Sequence, residues 1–178
     1  EDYRRHYIAM DGTFEDYLAR FSGKTRSTLR RKAKKFAAAD GGKLDVRAFR
    51  NAAEVEHFLD LALPLSAKTY QSRLLDAGLP DSQAARENML GQAEAGNMRC
   101  FLLFLAGDPV AYLALPVKGQ TLVYAHLGYD PAHSALSPGT VLQMEALRLL
   151  FYEERFRYFD FTEGEGAHKA LFGTDSVA

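Results

Sequence analysis

The sequence of 178 residues predicts an α/β fold: a mixed sheet, with an antiparallel meander followed by a parallel βαβ crossover, behind an N-terminal helical segment. Three observations predict it. The first half reads as helical stretches cut by Gly, Pro and Asp. Residues 98–129 then hold three strand-like runs joined by the short turns "GDP" and "KG", which only antiparallel neighbours can use. Finally, the apolar stretch Val141–Phe151 separates the third run from a fourth, "FRYFDF" (156–161). A strand–helix–strand connection of that kind most simply joins parallel strands by a right-handed crossover.

Each element has a local reason. Thr13 is a cap for a short helix "FEDYLARF", with Glu15 and Asp16 in its favourable first turn. Ser22–Gly23 breaks the chain. A second helix runs from about Thr25 to Ala38 and stops at "DGG". "KLDVRAF" (43–49) alternates as a strand, with Leu44, Val46 and Ala48 on one face. Helices follow at 51–62, 64–76 and 81–95, separated by Pro64, "AGLPD" and "AGN". The three strands of the meander are "MRCFLLFLA" (98–106), "VAYLALPV" (110–117) and "QTLVYAHLGY" (120–129).

Composition narrows the class. With 47% apolar and 25% charged residues the chain can build a core and is not disordered. A net charge of −1 removes any global pull toward nucleic acid or an anionic membrane. The single cysteine, Cys100, lies in an apolar run and reads as an inert buried thiol, so a reducing, cytoplasmic setting is expected. No run reaches the roughly 18–20 apolar residues of a spanning helix, and "EDYRRHYIAM" is not a signal peptide. His6, His57, His126, His133 and His168 show no ligand spacing, so no metal is expected. There is no "GxSxG" elbow and no P-loop. The chain begins on Glu1, and a piece of a longer protein is expected.

Two stretches suggest chemistry. In "LSPGTV" (136–141), Ser137 suits an N-cap, Pro138 a first helical residue, and Gly139 clears space for a ligand. A helix that starts there, outside the carboxyl end of a strand, suits a phosphate or pyrophosphate. The same tripeptide also starts helices that bind nothing. The other stretch is the helix 24–35, which carries Lys24, Arg26, Arg30, Arg31, Lys32, Lys34 and Lys35 over a thin apolar stripe. It reads either as a solvated face or as a cradle for an anionic acceptor, in which Arg26 and Arg30, one turn apart, share one phosphate.

Strands, helix and parallel strand in this order resemble the GNAT acyltransferase fold. Four motifs in order, "GKTRSTLRRKAKKF", "SAKTY", "LGYDPAHSALSPGTVL" and "FDFTEGEGAHKALFG", resemble one branch. It is the GNAT-like group around the cellulose-biosynthesis CelD proteins, itself similar to the Fem-type aminoacyl transferases of peptidoglycan synthesis. The resemblance covers about residues 20–173. It implies a single acyltransferase domain over 1–178, with a basic helical segment at 1–42 and a cofactor-binding core at 98–173. The acyl group, acetyl by expectation, would pass from acyl-CoA to an amine or hydroxyl of a cell-envelope saccharide or its precursor. Alternatives are Fem-like transfer from aminoacyl-tRNA and a non-catalytic lobe. Relatives often carry two lobes, so a second lobe or a homodimer is a candidate partner.

The resemblance also assigns residues. Pantetheine would lie where the third and fourth strands splay apart, its pyrophosphate on the helix start, Ser137, Gly139 and Thr140. Backbone amides around Leu127, Gly128 and Tyr129 would polarise the thioester carbonyl. Arg26, Arg30, Arg31 and Lys169 match basic positions of the branch. The residue before that Lys is usually aromatic; here it is His168. By alternation Tyr124, His126 and Gly128 share one face, and His126 is a candidate base at neutral pH or a structural histidine. Asp160 acts as base or orients the acceptor, or else only caps the turn after it. Glu163 and Glu165 are weaker candidates on an exposed loop. Lys68 and Tyr70 are candidates for the acceptor side.

Overall fold

The computed structural model describes residues 5–71, 79–162, 172–173 and 175–177. In chain order the elements are β1 (Arg5–Ala9), α1 (Phe14–Ala19), α2 (Gly23–Ala38), β2 (Asp45–Phe49), α3 (Ala52–Gln71) and α4 (Gln83–Glu94). The meander follows as β3 (Met98–Leu105), β4 (Asp108–Lys118), β5 (Thr121–Val123) and β6 (His126–Tyr129). Then come a 3-10 turn (Pro131–Leu136), α5 (Pro138–Glu153), β7 (Tyr158–Asp160) and β8 (Asp175–Val177).

The run at 98–105 has no polar face, and the structure places it between β2 and β4, covered on both sides. Met98, Cys100, Leu102 and Phe104 join the core under α3 and α4. Phe101 and Leu103 join the core that α1, α2 and α5 close on the other face. Cys100 is fully buried, and burial pushes its thiol far up, so it is inert as the sequence implies. The strand order is β2-β3-β4-β5-β7-β1-β8, with β6 pairing β4 beyond β5. The expected antiparallel meander is present, and β5 pairs β7 in parallel, Val123 opposite Asp160. The expected mixed α/β fold is therefore the observed one.

Several elements differ from expectation. Pro64 does not divide a helix pair; α3 runs through it. Pro64 is exposed, so water can replace the bond its missing N–H denies to the Asp60 carbonyl. The apolar stripe Val55, Phe58, Leu59, Ala62 and Leu65 continues past it. The charged start hides β1, which pairs antiparallel with both β7 and β8. A segment from the beginning of the chain thus flanks the parallel strand. The third strand of the meander is two strands. Leu122 lies opposite Val117 and His126 opposite Ala114, so three residues (123–125) face two (115–116). One extra residue is a bulge.

The caps follow the sequence closely at α1. Thr13 Oγ1 accepts from Asp16 N–H at 3.1 Å, and Asp16 Oδ2 accepts from Thr13 N–H at 2.9 Å, a complete capping box. At α2 the expected break at Ser22 is instead its N-cap, bonded to Thr25 N–H.

The far end of α5 is tied to the sheet by a charge cluster. Arg99, the second residue of the apolar run, is 2% exposed. Its Nη2 donates to Glu153 Oε1 at 2.7 Å and its Nε to Oε2 at 3.2 Å; Nη1 donates to the Gly96 and Met98 carbonyls. Arg50 adds a second pair to Glu153 at 3.2 Å. Burial alone would raise the Glu153 carboxyl; the hydrogen bond and charge of Arg99, with Arg50 and Arg155, outweigh it and hold the group below its ordinary 4.5.

Glu153→Gln leaves Arg99 buried without its counter-charge. The expected cost is about 3–5 kcal/mol, read by urea unfolding at neutral pH. A depressed folded pKa gives stability that is present above 4.5 and lost as pH falls through the lower folded value. The variant's stability should therefore fall less steeply with acid across that window.

Candidate functional site

The bulge between β5 and β6 builds the site. Up to Val123 the chain follows β7, and the last rung is Tyr124 N–H to the Asp160 carbonyl at 2.8 Å. After the extra residue, β6 follows β4, and among the described residues it pairs with no other strand. The two strands part at Tyr124, opening a gap between β6 and β7. The bulge also reverses the alternation. Tyr124 packs on Phe159 and Phe161, with centroids at 6.2 and 5.3 Å, in the core on the α5 side. His126 lines a cavity on the α4 side. The expectation that Tyr124 and His126 share a face fails because one inserted residue flips the side chains that follow it.

The register fixes where the backbone of β6 points. Asp130 N–H donates to the Val110 carbonyl at 2.8 Å, in the same register as β6 on β4. In an antiparallel pair, bonded and non-bonded positions alternate. Gly128 and His126 therefore bond toward β4, while Leu127 and Tyr129 aim their N–H and C=O groups into the gap. The Tyr129 carbonyl accepts from Thr69 Oγ1 of α3 at 2.8 Å. Of the three residues assigned to the donor by resemblance, Leu127 and Tyr129 offer backbone to the gap and Gly128 does not.

Gly128 has a different reason to be glycine. A Cβ there would lie 2.5 Å from the Tyr112 ring. That ring is fully buried across β6, and its hydroxyl donates to Ser66 Oγ at 3.3 Å, which also accepts from Leu79 N–H at 2.6 Å. Gly139 is buried too: a Cβ would sit 3.4 Å from Leu127 and from Tyr129. Its small size lets α5 approach β6.

Ser137 occupies the N-cap position of α5 but does not cap with its side chain. It adopts the left-handed region, φ 53° and ψ 49°, because the 3-10 turn must reverse into the helix there. The first α5 amides thus have no side-chain cap, beside the outer edge of β6. α2 supports this turn: Lys35 Nζ donates to the Ala135 carbonyl at 3.2 Å. Leu29 and Phe36 anchor α2 in the core, while Arg30 and Arg31 are exposed and Arg26 is half-buried. None of these three arginines has an ion pair among the described residues.

On the other side, Lys68 pairs with Asp130 at 3.6 Å, and Asp130 Oδ1 accepts from Ala132 N–H at 3.0 Å. Lys68 therefore meets the end of β6. Tyr70 lies in the last turn of α3, and its side chain is outside the described residues, as are Glu163, Glu165, His168 and Lys169. Asp160 stands at the fork, and its Oδ1 accepts from Thr162 N–H at 2.8 Å, so it does cap the turn that follows. Thr162 has φ 66°, a strained value for a β-branched residue that this bond holds. Burial pushes the His126 imidazole below its ordinary 6.5, so it is neutral at pH 7 and able to accept a proton. Burial, and then the neighbouring Tyr112, push the Tyr124 phenol far up, keeping it protonated. The sequence reading missed Thr69, whose hydroxyl gave no signal inside a helical pattern, and the role of Tyr112. Among the described residues no group of three or more His, Cys, Asp or Glu could hold a metal ion. No described helix is long and apolar enough to cross a membrane.

The two glycines should respond differently. Gly128→Ala forces a displacement of Tyr112 and should cost on the order of 1–3 kcal/mol, as overpacking does. Gly139→Ala meets only ordinary contacts in a helix and should be neutral or slightly stabilising. Thermal unfolding of both variants measures the contrast.

The comparisons fit this geometry. Among solved structures, FemX superposes with a TM-score of 0.68 at 14% identity, over 97% of this chain and 59% of that one. A C-terminal domain from Agrobacterium fabrum, described as that of a lysylphosphatidylglycerol synthetase, gives 0.66 at 14%, over 98% and 57%. L-PGS from Bacillus licheniformis gives 0.60 at 15%, over 90% and 46%. At such identities the likeness is one of fold, and the chain spans less than two thirds of each of these proteins. No curated protein sequence matches the chain. The family model described as an acetyltransferase (GNAT) domain matches residues 23–170, and the chain belongs to that family.

Proposed function

We propose that the chain transfers an acyl group, acetyl in the simplest case, from acyl-CoA to an amine or hydroxyl of a cell-envelope saccharide or its precursor. In this reading residues 1–178 act as one acyltransferase domain, with the donor bound by 98–173. The fork between β6 and β7 carries the reading. It offers the outward backbone of Leu127 and Tyr129 to an extended amide-bearing chain such as pantetheine, with the uncapped start of α5 close by. Gly139 and Thr140 supply amide N–H groups and a helix dipole for the pyrophosphate. The likeness of four motifs to the CelD group supports a saccharide acceptor.

The step is a simple exchange of bonds. The acceptor oxygen or nitrogen attacks the thioester carbon; a C–O or C–N bond forms and the C–S bond breaks. His126, neutral at pH 7, takes the acceptor proton, and the departing thiolate takes a proton from water. An outward amide of β6 stabilises the carbonyl oxygen as it gains charge. Asp160, at the fork, orients the acceptor or serves as the base in place of His126. On the present geometry it also holds the turn at Thr162, so its replacement tests both roles together.

A second reading has its own observation. The exposed arginines of α2 flank the turn that leads into α5, so a polyanionic donor such as aminoacyl-tRNA is the rival to acyl-CoA. Binding of tRNA that falls steeply with salt, and that Arg26, Arg30 and Arg31 to Ala abolish, would favour it.

Calorimetric titration with acetyl-CoA separates the readings. A charged side chain as large as Glu at buried Gly139 would fail through packing alone, so Thr140→Glu is the informative variant. A carboxylate in the first turn favours the helix but repels pyrophosphate. Wild-type binding that Thr140→Glu weakens about tenfold or more, with unchanged thermal stability, is the expected result. Equal affinity in the two proteins would remove the pyrophosphate from the helix start. For the base, the acid limb of kcat/KM should lie below 6.5 and disappear in His126→Gln. An unchanged limb would assign the base elsewhere.

A further inference from the structure

The cavity between α4 and β4 has a chemistry of its own. It has a volume of about 140 Å³, and its polar lining is Asn88, Gln92 and His126 over an apolar floor that includes Met89, Met98 and Ala114. Asn88 and Gln92 stand one turn apart on the same face of α4, as i and i+4. Each carboxamide offers both a donor and an acceptor. The imidazole of His126 is held neutral by burial. Among the described residues no carboxylate, ammonium or guanidinium lines the cavity. Its volume equals that of about five waters at roughly 30 Å³ each, enough for one ring-sized group and too little for two. His126 joins the cavity to the fork: its backbone is the first residue of β6 and its side chain is in the cavity wall.

We propose that this cavity is the acceptor subsite and that it takes a neutral ring bearing hydroxyl or N-acyl groups, a neutral sugar unit, in preference to a cationic or an anionic one. Matched donors and acceptors on Asn88 and Gln92 fit a group that carries both. A cationic amine would meet no counter-charge there, and a carboxylate or phosphate would meet acceptors as well as donors without a cation. The apolar floor suits the C–H face of a pyranose. The proposal rests on the reading of the β6–β7 fork as the donor site, and the two can fail separately.

The test uses three methyl glycosides of nearly one size, those of glucose, glucosamine and glucuronate, added to the full chain with and without acetyl-CoA. The readouts are the side-chain amide resonances of Asn88 and Gln92 and the binding affinity. The neutral glycoside should bind most tightly of the three and shift both amides. Gln92→Leu and Asn88→Ala should each weaken it about fivefold or more, the loss expected for one hydrogen bond, while acetyl-CoA affinity stays the same. Gln92→Glu, which keeps the shape, should move the preference toward the glucosamine glycoside; thermal unfolding confirms that each variant is folded. Acetyl-CoA binding without any amide shift from any glycoside overturns the subsite. So does tighter binding of a charged glycoside to the wild type, or neutral-glycoside affinity that none of the three variants changes. Glycoside binding with these effects but no acetyl-CoA binding keeps the subsite and overturns the donor reading instead.

Discussion

One inserted residue between β5 and β6 organises the molecule. Without it, Leu122 through Tyr129 would run as one strand beside β4 with a single alternation of faces. With it, pairing to β7 ends at Tyr124, the faces exchange, and β6 turns its bonding groups outward at Leu127 and Tyr129. The gap therefore has two sources, the register shift on one side and the end of β7 at Asp160 on the other. The same shift places His126 over the α4 side and leaves Tyr124 among the phenylalanines of β7 and the residue after it. An outward-facing backbone edge and a cavity-lining histidine thus come from consecutive residues of one strand, and these are the proposed donor and acceptor sides.

An open fork inside a sheet tends to close, and the surrounding packing prevents it. Tyr112 lies across Gly128 and is held by Ser66, so β6 has a fixed height above β4. Thr69 takes the Tyr129 carbonyl and Lys68 holds Asp130, so α3 fixes the outer end of β6. Gly139 lets α5 press against Leu127 and Tyr129 from the other face. The far end of α5 is anchored by Glu153 to Arg99 and Arg50, and the anchoring carries through the helix to its start. Gln143, on α5 one turn beyond Gly139, is fully buried with neither amide atom bonded among the described residues, and nothing in the structure explains it.

Much of this was legible in the sequence, and the limits have physical causes. The strands of the meander were legible because their apolar runs are bounded by turn residues. The parallel pairing of β7 followed from the length of the connection. The bulge was not legible: "TLVYAHLGY" alternates well enough that nothing marks an extra residue, and only the partner strand reveals it. Hence His126 was singled out for its chemistry, yet placed on the same face as Tyr124. The helix start was found from Ser-Pro-Gly, but Gly139 reads there as a space for a ligand, while the structure fills that space with β6. Gly128 was singled out as donor backbone, when its hydrogen-bonding groups face β4 and its missing side chain makes room for Tyr112. Pro64 misled because a proline on the wet side of a helix costs much less than one on the dry side. β1 was missed because an edge-region strand of mixed charge has no periodic signature.

Charge follows the same division between the faces. The net charge is −1, yet α2 concentrates cations, and one of them, Lys35, reaches the turn that leads into α5. The α4 side presents amides and a neutral imidazole. A donor with an anionic head and an uncharged acyl end fits the first side, and an uncharged acceptor fits the second. Placing charge recognition at the head of the donor leaves the reacting end in a region of low charge density. In the proposed reaction, a proton moving to His126 would meet no cation among the described residues that line its cavity, and a developing oxyanion would face a β6 amide. The basic helix therefore need not touch the reacting atoms to matter for the reaction. In the proposed reading it biases which ligand enters, and the bulge decides where its reactive end comes to rest.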